Sequence, residues 1–96
     1  MKEREYILEL YELYNKLLTN KEIDYFKDYY FEDYSLQEIA DNNDVSKSYV
    51  SKIINSIEKK LIRFEELLNI YKKNNKIRNI INNIDKDIKD KIEEIL

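Results

Sequence analysis

Six polar residues crowd one stretch near the middle of this 96-residue chain: Lys47, Ser48, Ser51, Lys52, Asn55 and Lys59. At these spacings, on a helix, they would form an exposed polar face. Their chemistry is that of nucleic-acid contact. Lysine meets a phosphate or the guanine edge, asparagine suits the adenine edge, and serine hydroxyls reach phosphate oxygens. A solvated helix face in a Lys- and Asn-rich protein would carry the same residues, so the elements that hold them decide what they mean.

The rest of the composition excludes most other chemistry. There is no Cys, His, Gly or Pro. That removes disulfides, thiol chemistry, the usual soft metal ligands and the commonest general base. Without glycine a phosphate-cradling loop cannot be built. The carboxylate pairs Glu32-Asp33, Glu65-Glu66 and Glu93-Glu94 do not converge, because neighbours on a helix diverge by about 100°. No catalytic residue, metal, cofactor or small-molecule substrate is therefore expected, and the chain reads as a non-enzyme. No apolar run approaches the ~18 residues of a membrane span. The N-terminal "MKEREYILELYELY" lacks the uninterrupted apolar core of a signal peptide. A reducing, cytoplasmic setting without membrane insertion is expected. The net charge of −3 is unfavourable for strong nucleic-acid binding. Residues 34–63, with four acids and five bases, form the only positive third.

The positioning elements read as helices joined by polar corners. Ile7, Leu10, Tyr11, Tyr14, Leu17 and Leu18 give one apolar stripe and predict a helix over about 3–18. Thr19 with Glu22, and Ser35 with Glu38, are capping boxes that start the next two helices. Asn42-Asn43-Asp44 is a turn, in which Asp44 takes the place usually held by glycine. Ser46 caps a fourth helix that begins at Lys47. Its seam of Val50, Ile54, Ile57, Leu61, Phe64, Leu68 and Tyr71 predicts a helix to about residue 73. "KKNNK" at 72–76 then interrupts it. An isoleucine row from Ile77 to Ile95 follows, and "NNIDKD" in its middle could divide it into 77–83 and 85–96. The nine tyrosines read as core and rim packing. Within this pattern Ala40 is the small residue that two crossing helices need, and Val50 supplies the apolar contact ten residues later. Together they predict a helix-turn-helix with the six polar residues on its outer face.

The segment "LLTNKEIDYFKDYYFEDYSLQEIADNNDVSKSYVSKIINSIEKKL" (17–61) resembles the fourth region of bacterial sigma factors, which reads promoter DNA. It resembles the YlxM family of small bacterial proteins more closely. The residues that carry this are Leu18-Thr19, Lys21, Tyr29-Tyr30, Glu32-Asp33, Ser35-Leu36, Glu38-Ile39-Ala40, Val45-Ser46, Val50 and Glu58-Lys59-Lys60-Leu61, with "EELLNIYKKNNKIRNIINNI" continuing the likeness. The resemblance implies an accessory or regulatory role in the signal recognition particle pathway, with DNA or the particle's RNA and its proteins as partners. It departs at Lys47, Ser48 and Ser51, where the family tends to place Arg, Gln and aromatic groups. The alternative from the residues is a transcriptional regulator that lays helix 47–61 in the major groove.

The expected architecture is all-α: a sigma-region-4-like head over 1–62 and a helical stem over 63–96. Phe64, Leu68, Tyr71, Ile77, Ile81, Ile84 and Ile88 are the expected contacts of a homodimer.

Overall fold

The computed structural model of the chain describes residues 3–82 and 84–96. It contains α1 (Arg4–Tyr14), a 3-10 turn (Asn15–Leu17), α2 (Asn20–Tyr30), α3 (Leu36–Asn43), α4 (Lys47–Leu68), α5 (Ile70–Ile81) and α6 (Lys86–Ile95). The fold is all-α, as its sequence pattern predicts.

Local chemistry sets most of the boundaries. Thr19 and Ser35 each complete a capping box with the glutamate three residues on. The Ser46 hydroxyl accepts from the Tyr49 amide and starts α4. The first helix is shorter than its apolar stripe suggests. The Asn15 side-chain amide donates to the Tyr11 and Glu12 carbonyls and closes α1 into the 3-10 turn. A chain without glycine must turn its corners on other residues. Asp33, Asp44 and Asn69 have φ of 55°, 58° and 54°, and Asp and Asn are the side chains that tolerate this conformation best.

The core gathers on α4. Its Val50, Ile54, Ile57 and Leu61 are buried against Ile7, Leu10 and Tyr14 of α1, Phe26 and Tyr30 of α2, and Ile39 and Ala40 of α3. Burying each large apolar side chain contributes on the order of 2 kcal/mol. The tyrosines pack as expected: the Tyr11 ring stacks on Phe26 at 4.1 Å, and Tyr6 meets Tyr71 edge-on at 5.3 Å.

Beyond Leu61 the structure departs from the heptad pattern. The fourth helix ends at Leu68, not near residue 73, and Asn69 in the left-handed region turns the chain into α5. Residues 72–76 lie inside α5 and interrupt nothing. The reason is a long-range cap that periodicity does not encode. Glu65, only 6% exposed, accepts from the Tyr71 and Lys72 amides at 2.9 and 3.2 Å. The Tyr14 hydroxyl donates to the same carboxylate at 2.7 Å and accepts from the Ile70 amide at 3.3 Å. The first three amides of α5 are thereby satisfied, and α5 packs against α1. Burial and the bond to Glu65 push the Tyr14 phenol up to about 12.

The isoleucine row is divided, as "NNIDKD" suggests: α5 stops at Ile81 and α6 starts at Lys86, while Asn83, inside the expected 77–83 helix, lies outside the described residues. The expected dimer contacts separate into two groups. Phe64 and Tyr71 pack against the core, and Ile81 is 2% exposed, so these serve the chain's own interior. Ile77 is half-buried, while Leu68, Ile84 and Ile88 face solvent. The α4 helix passes through residues 62 and 63 without a break. The radius of gyration is 16.7 Å, well above the roughly 12.5 Å of a compact chain of this length.

Candidate nucleic-acid interface

The corner that points α4 outward is built from α3, Asp44, Val45 and Ser46. The Val45 amide reaches back to the Ala40 carbonyl at 3.0 Å, and the Asn43 side chain donates to the Ile39 carbonyl at 2.8 Å. Ala40 and Val50 are both 0% exposed where α3 packs on α4, so the small residue permits the close crossing the sequence predicts. Asp44 adopts the left-handed geometry in place of glycine. The corner that fixes α4 is therefore that of a helix-turn-helix.

With α4 anchored, its outer face is set by angle. Lys47, Ser48, Lys52, Asn55 and Lys59 are exposed and Ser51 is half-buried. Not all six share one stripe. Lys47 and Lys52 are five residues apart and so about 140° apart around the helix, which sets Lys47 at the flank of the N-terminal turn. Lys52, Asn55 and Lys59 fall together with three residues the spacing also reaches: Ser56, Lys60 and Arg63. These six line a shallow groove of about 490 Å³, and no acid lines it. The steps from Lys52 to Ser56, Lys59 and Arg63 are four, three and four residues, a signal present in the sequence. The stripe extends roughly 16 Å along the axis.

Two contacts from α2 steady its flank. Lys60 pairs with Glu22 at 2.7 Å. Burial alone would raise the Glu22 carboxyl, but bonds from Lys60 and Thr19 outweigh it and hold the group below its ordinary value. Lys21 bonds the Tyr49 hydroxyl at 3.0 Å and lies 5.5 Å from the ring centroid. The bond to Tyr49 raises the Lys21 ammonium, which is charged at neutral pH. Since Lys60 is neutralised by Glu22, the groove's charge toward solvent comes from Lys52, Lys59 and Arg63. Such a row of cations with Asn and Ser hydrogen-bonding groups tracks phosphates and reaches base edges. Among the described residues no group of three or more Asp or Glu is placed to hold a metal ion, and no helix is long and apolar enough to cross a membrane.

Known proteins share this arrangement of sequence along nearly the whole chain. Residues 1–96 match UPF0122, the YlxM / p13-like helix-turn-helix proteins. A UPF0122 protein of Ureaplasma urealyticum serovar 10 is 39% identical over 93 residues, covering 96% of this chain and 94% of that one. One from Clostridium acetobutylicum is 35% identical over 95 residues, with 96% and 76% covered. One from Thermoanaerobacter sp. strain X514 is 39% identical over 79 residues, with 82% and 68% covered. The chain belongs to the UPF0122 family of YlxM / p13-like helix-turn-helix proteins.

Proposed function

We propose that this chain is a non-enzymatic regulatory protein of the cytoplasm that binds nucleic acid through the outer face of α4 and acts as a homodimer. The observation that carries the reading is the acid-free groove of Lys52, Asn55, Ser56, Lys59, Lys60 and Arg63 behind the helix-turn-helix corner. Three unneutralised cations in one row release counterions on meeting phosphates, which drives association even in a protein of net charge −3. Lys47, Ser48 and Ser51 at the N-terminal end of α4 are positioned to add contacts near base edges.

Its biological setting is an accessory role in the signal recognition particle pathway, with the particle's RNA as the nucleic acid and the pathway's proteins as neighbours. The YlxM likeness of residues 17–61 supports this setting. A transcriptional regulator that lays α4 in a DNA major groove is the second reading, and the exposed Asn55 and Ser48 beside Lys52 favour it.

Titration of fluorescent duplex DNA and of a structured RNA hairpin, each across a salt series, tests both. Binding of either, with an affinity that falls as salt rises, is expected. Pull-down from a native lysate with the particle's GTPases or RNA recovered supports the first setting; selective capture of a duplex DNA sequence supports the second. No binding to either nucleic acid at low salt overturns the proposal.

A further inference from the structure

Two tyrosines are exposed, Tyr34 at 37% and Tyr49 at 39%, and their surroundings are opposite. Tyr34 follows Glu32 and Asp33, where a phosphate is repelled. Tyr49 stands in the first turn of α4, with Lys21 bonded to its hydroxyl and Lys52 one turn on. Around the helix the ring falls within about 20° of Ser56 and Lys60, so it continues their edge of the groove toward the N-terminal end of α4. An ammonium 3.0 Å from the hydroxyl oxygen and 5.5 Å from the ring centroid lies off the hydroxyl edge, not over a face. Lys21 thus holds the ring by its tip and leaves the faces clear of the cation. Among the described residues no other aromatic ring packs on Tyr49. Lys21 is itself exposed and has no carboxylate partner among them, so its charge is available to an anion.

Resting on the nucleic-acid reading above, we propose that the Tyr49 ring stacks on an unpaired base of a folded RNA, with the Lys21 ammonium on a phosphate of the same strand, while Lys52, Lys59 and Arg63 follow the adjoining stem. A base inside a duplex has both faces covered by its neighbours, so a side chain takes one only at a bulge, a loop or an end. Folded RNA supplies such bases beside paired stems. The stem offers phosphates to the row of cations, while its deep, narrow major groove keeps α4 from the base edges within. What remains for recognition is the splayed-out base, and an aromatic ring next to free cations is the group that takes it. Every base has a π-face, so the ring selects an unpaired nucleotide and not a sequence.

Two RNA hairpins that differ by one unpaired adenosine in the stem, each titrated with the full chain at low salt, test the proposal. The wild type is expected to bind the bulged hairpin at least about ten-fold more tightly than the fully paired one. Tyr49→Leu and Tyr49→Gln remove the ring from an exposed helical position and are expected to erase that preference, with affinity for the paired hairpin and the circular-dichroism melt unchanged. Tyr49→Phe keeps the ring and is expected to keep the preference. Lys21→Gln should lower the salt slope for the bulged hairpin by about one charge's worth. A preference that survives both ring-free variants overturns Tyr49 as the platform. Equal weakening of the two hairpins by those variants overturns it as well, since the ring then serves the fold or the paired stem. Equal wild-type affinity for the two hairpins, or tighter binding of the paired one, overturns the stacking and leaves the nucleic-acid reading standing. Failure to bind either hairpin or duplex DNA overturns both.

Discussion

Two corners of this chain use the same backbone device under different support. At Asp44, between α3 and α4, and at Asn69, between α4 and α5, a single residue takes a φ of 58° or 54°. Around Asp44 the support is local: the Ser46 cap, the Asn43 side chain and the Val45 amide all lie within six residues of one another. Around Asn69 it is long-range. Glu65 and Tyr14, separated by 51 positions, jointly cap α5. The local corner aims the outer face of α4 through short contacts alone; the distant one holds only while α1 and α4 are packed together. The first is a corner held by its own neighbours, and the second ties α5 to the core.

The sharpest way to break this comparison is Glu65→Ala. It leaves the Tyr14 hydroxyl and the Tyr71 and Lys72 amides without their acceptor, and is expected to cost about 3 kcal/mol in chemical denaturation. Hydrogen exchange should accelerate at residues 70–72 while the α3–α4 corner stays protected. Tyr14→Phe removes one bond to the carboxylate and the acceptor for Ile70, at about 2 kcal/mol. It also has a pH signature. The Tyr14 phenol is raised in the folded state, so its stabilisation is complete below pH 10 and is lost as pH climbs toward 12. Denaturation midpoints across that window should fall more steeply in the wild type than in Tyr14→Phe.

Smaller effects sharpen the local corner. Ser46→Ala removes the cap of α4 and is expected to cost about 1 kcal/mol, with the loss confined to the α3–α4 region. Asp44→Gly and Asn69→Gly each relieve left-handed strain but add unfolded-chain entropy. Thermal melts should show a net change of about 0.5 kcal/mol or less at either position.

The same contrast explains what could be read in advance. Thr19–Glu22, Ser35–Glu38, Ser46 and Asp44 act within three or four residues, so their sequence signatures suffice for the boundaries of α2, α3 and the start of α4. The inward residues Val50, Ile54, Ile57 and Leu61 follow helical periodicity and are buried as expected. The end of α4 was not legible, because an apolar seam continues through Leu68 and Tyr71 and gives no hint that Glu65 turns inward to meet Tyr14. At the site, Lys52, Asn55 and Lys59 were visible by type and spacing. Ser56 and Arg63 obey the same spacing further along. Lys60's neutralisation by Glu22 depends on how α2 packs on α4, which no local pattern contains.

The central claim is that the outer face of α4 binds nucleic acid, and the slope of affinity against salt measures it most directly. With duplex DNA, Lys52→Ala/Lys59→Ala/Arg63→Ala should weaken binding and reduce the slope of log affinity against log salt by about three charges' worth. An unchanged slope in a folded triple variant would contradict the account.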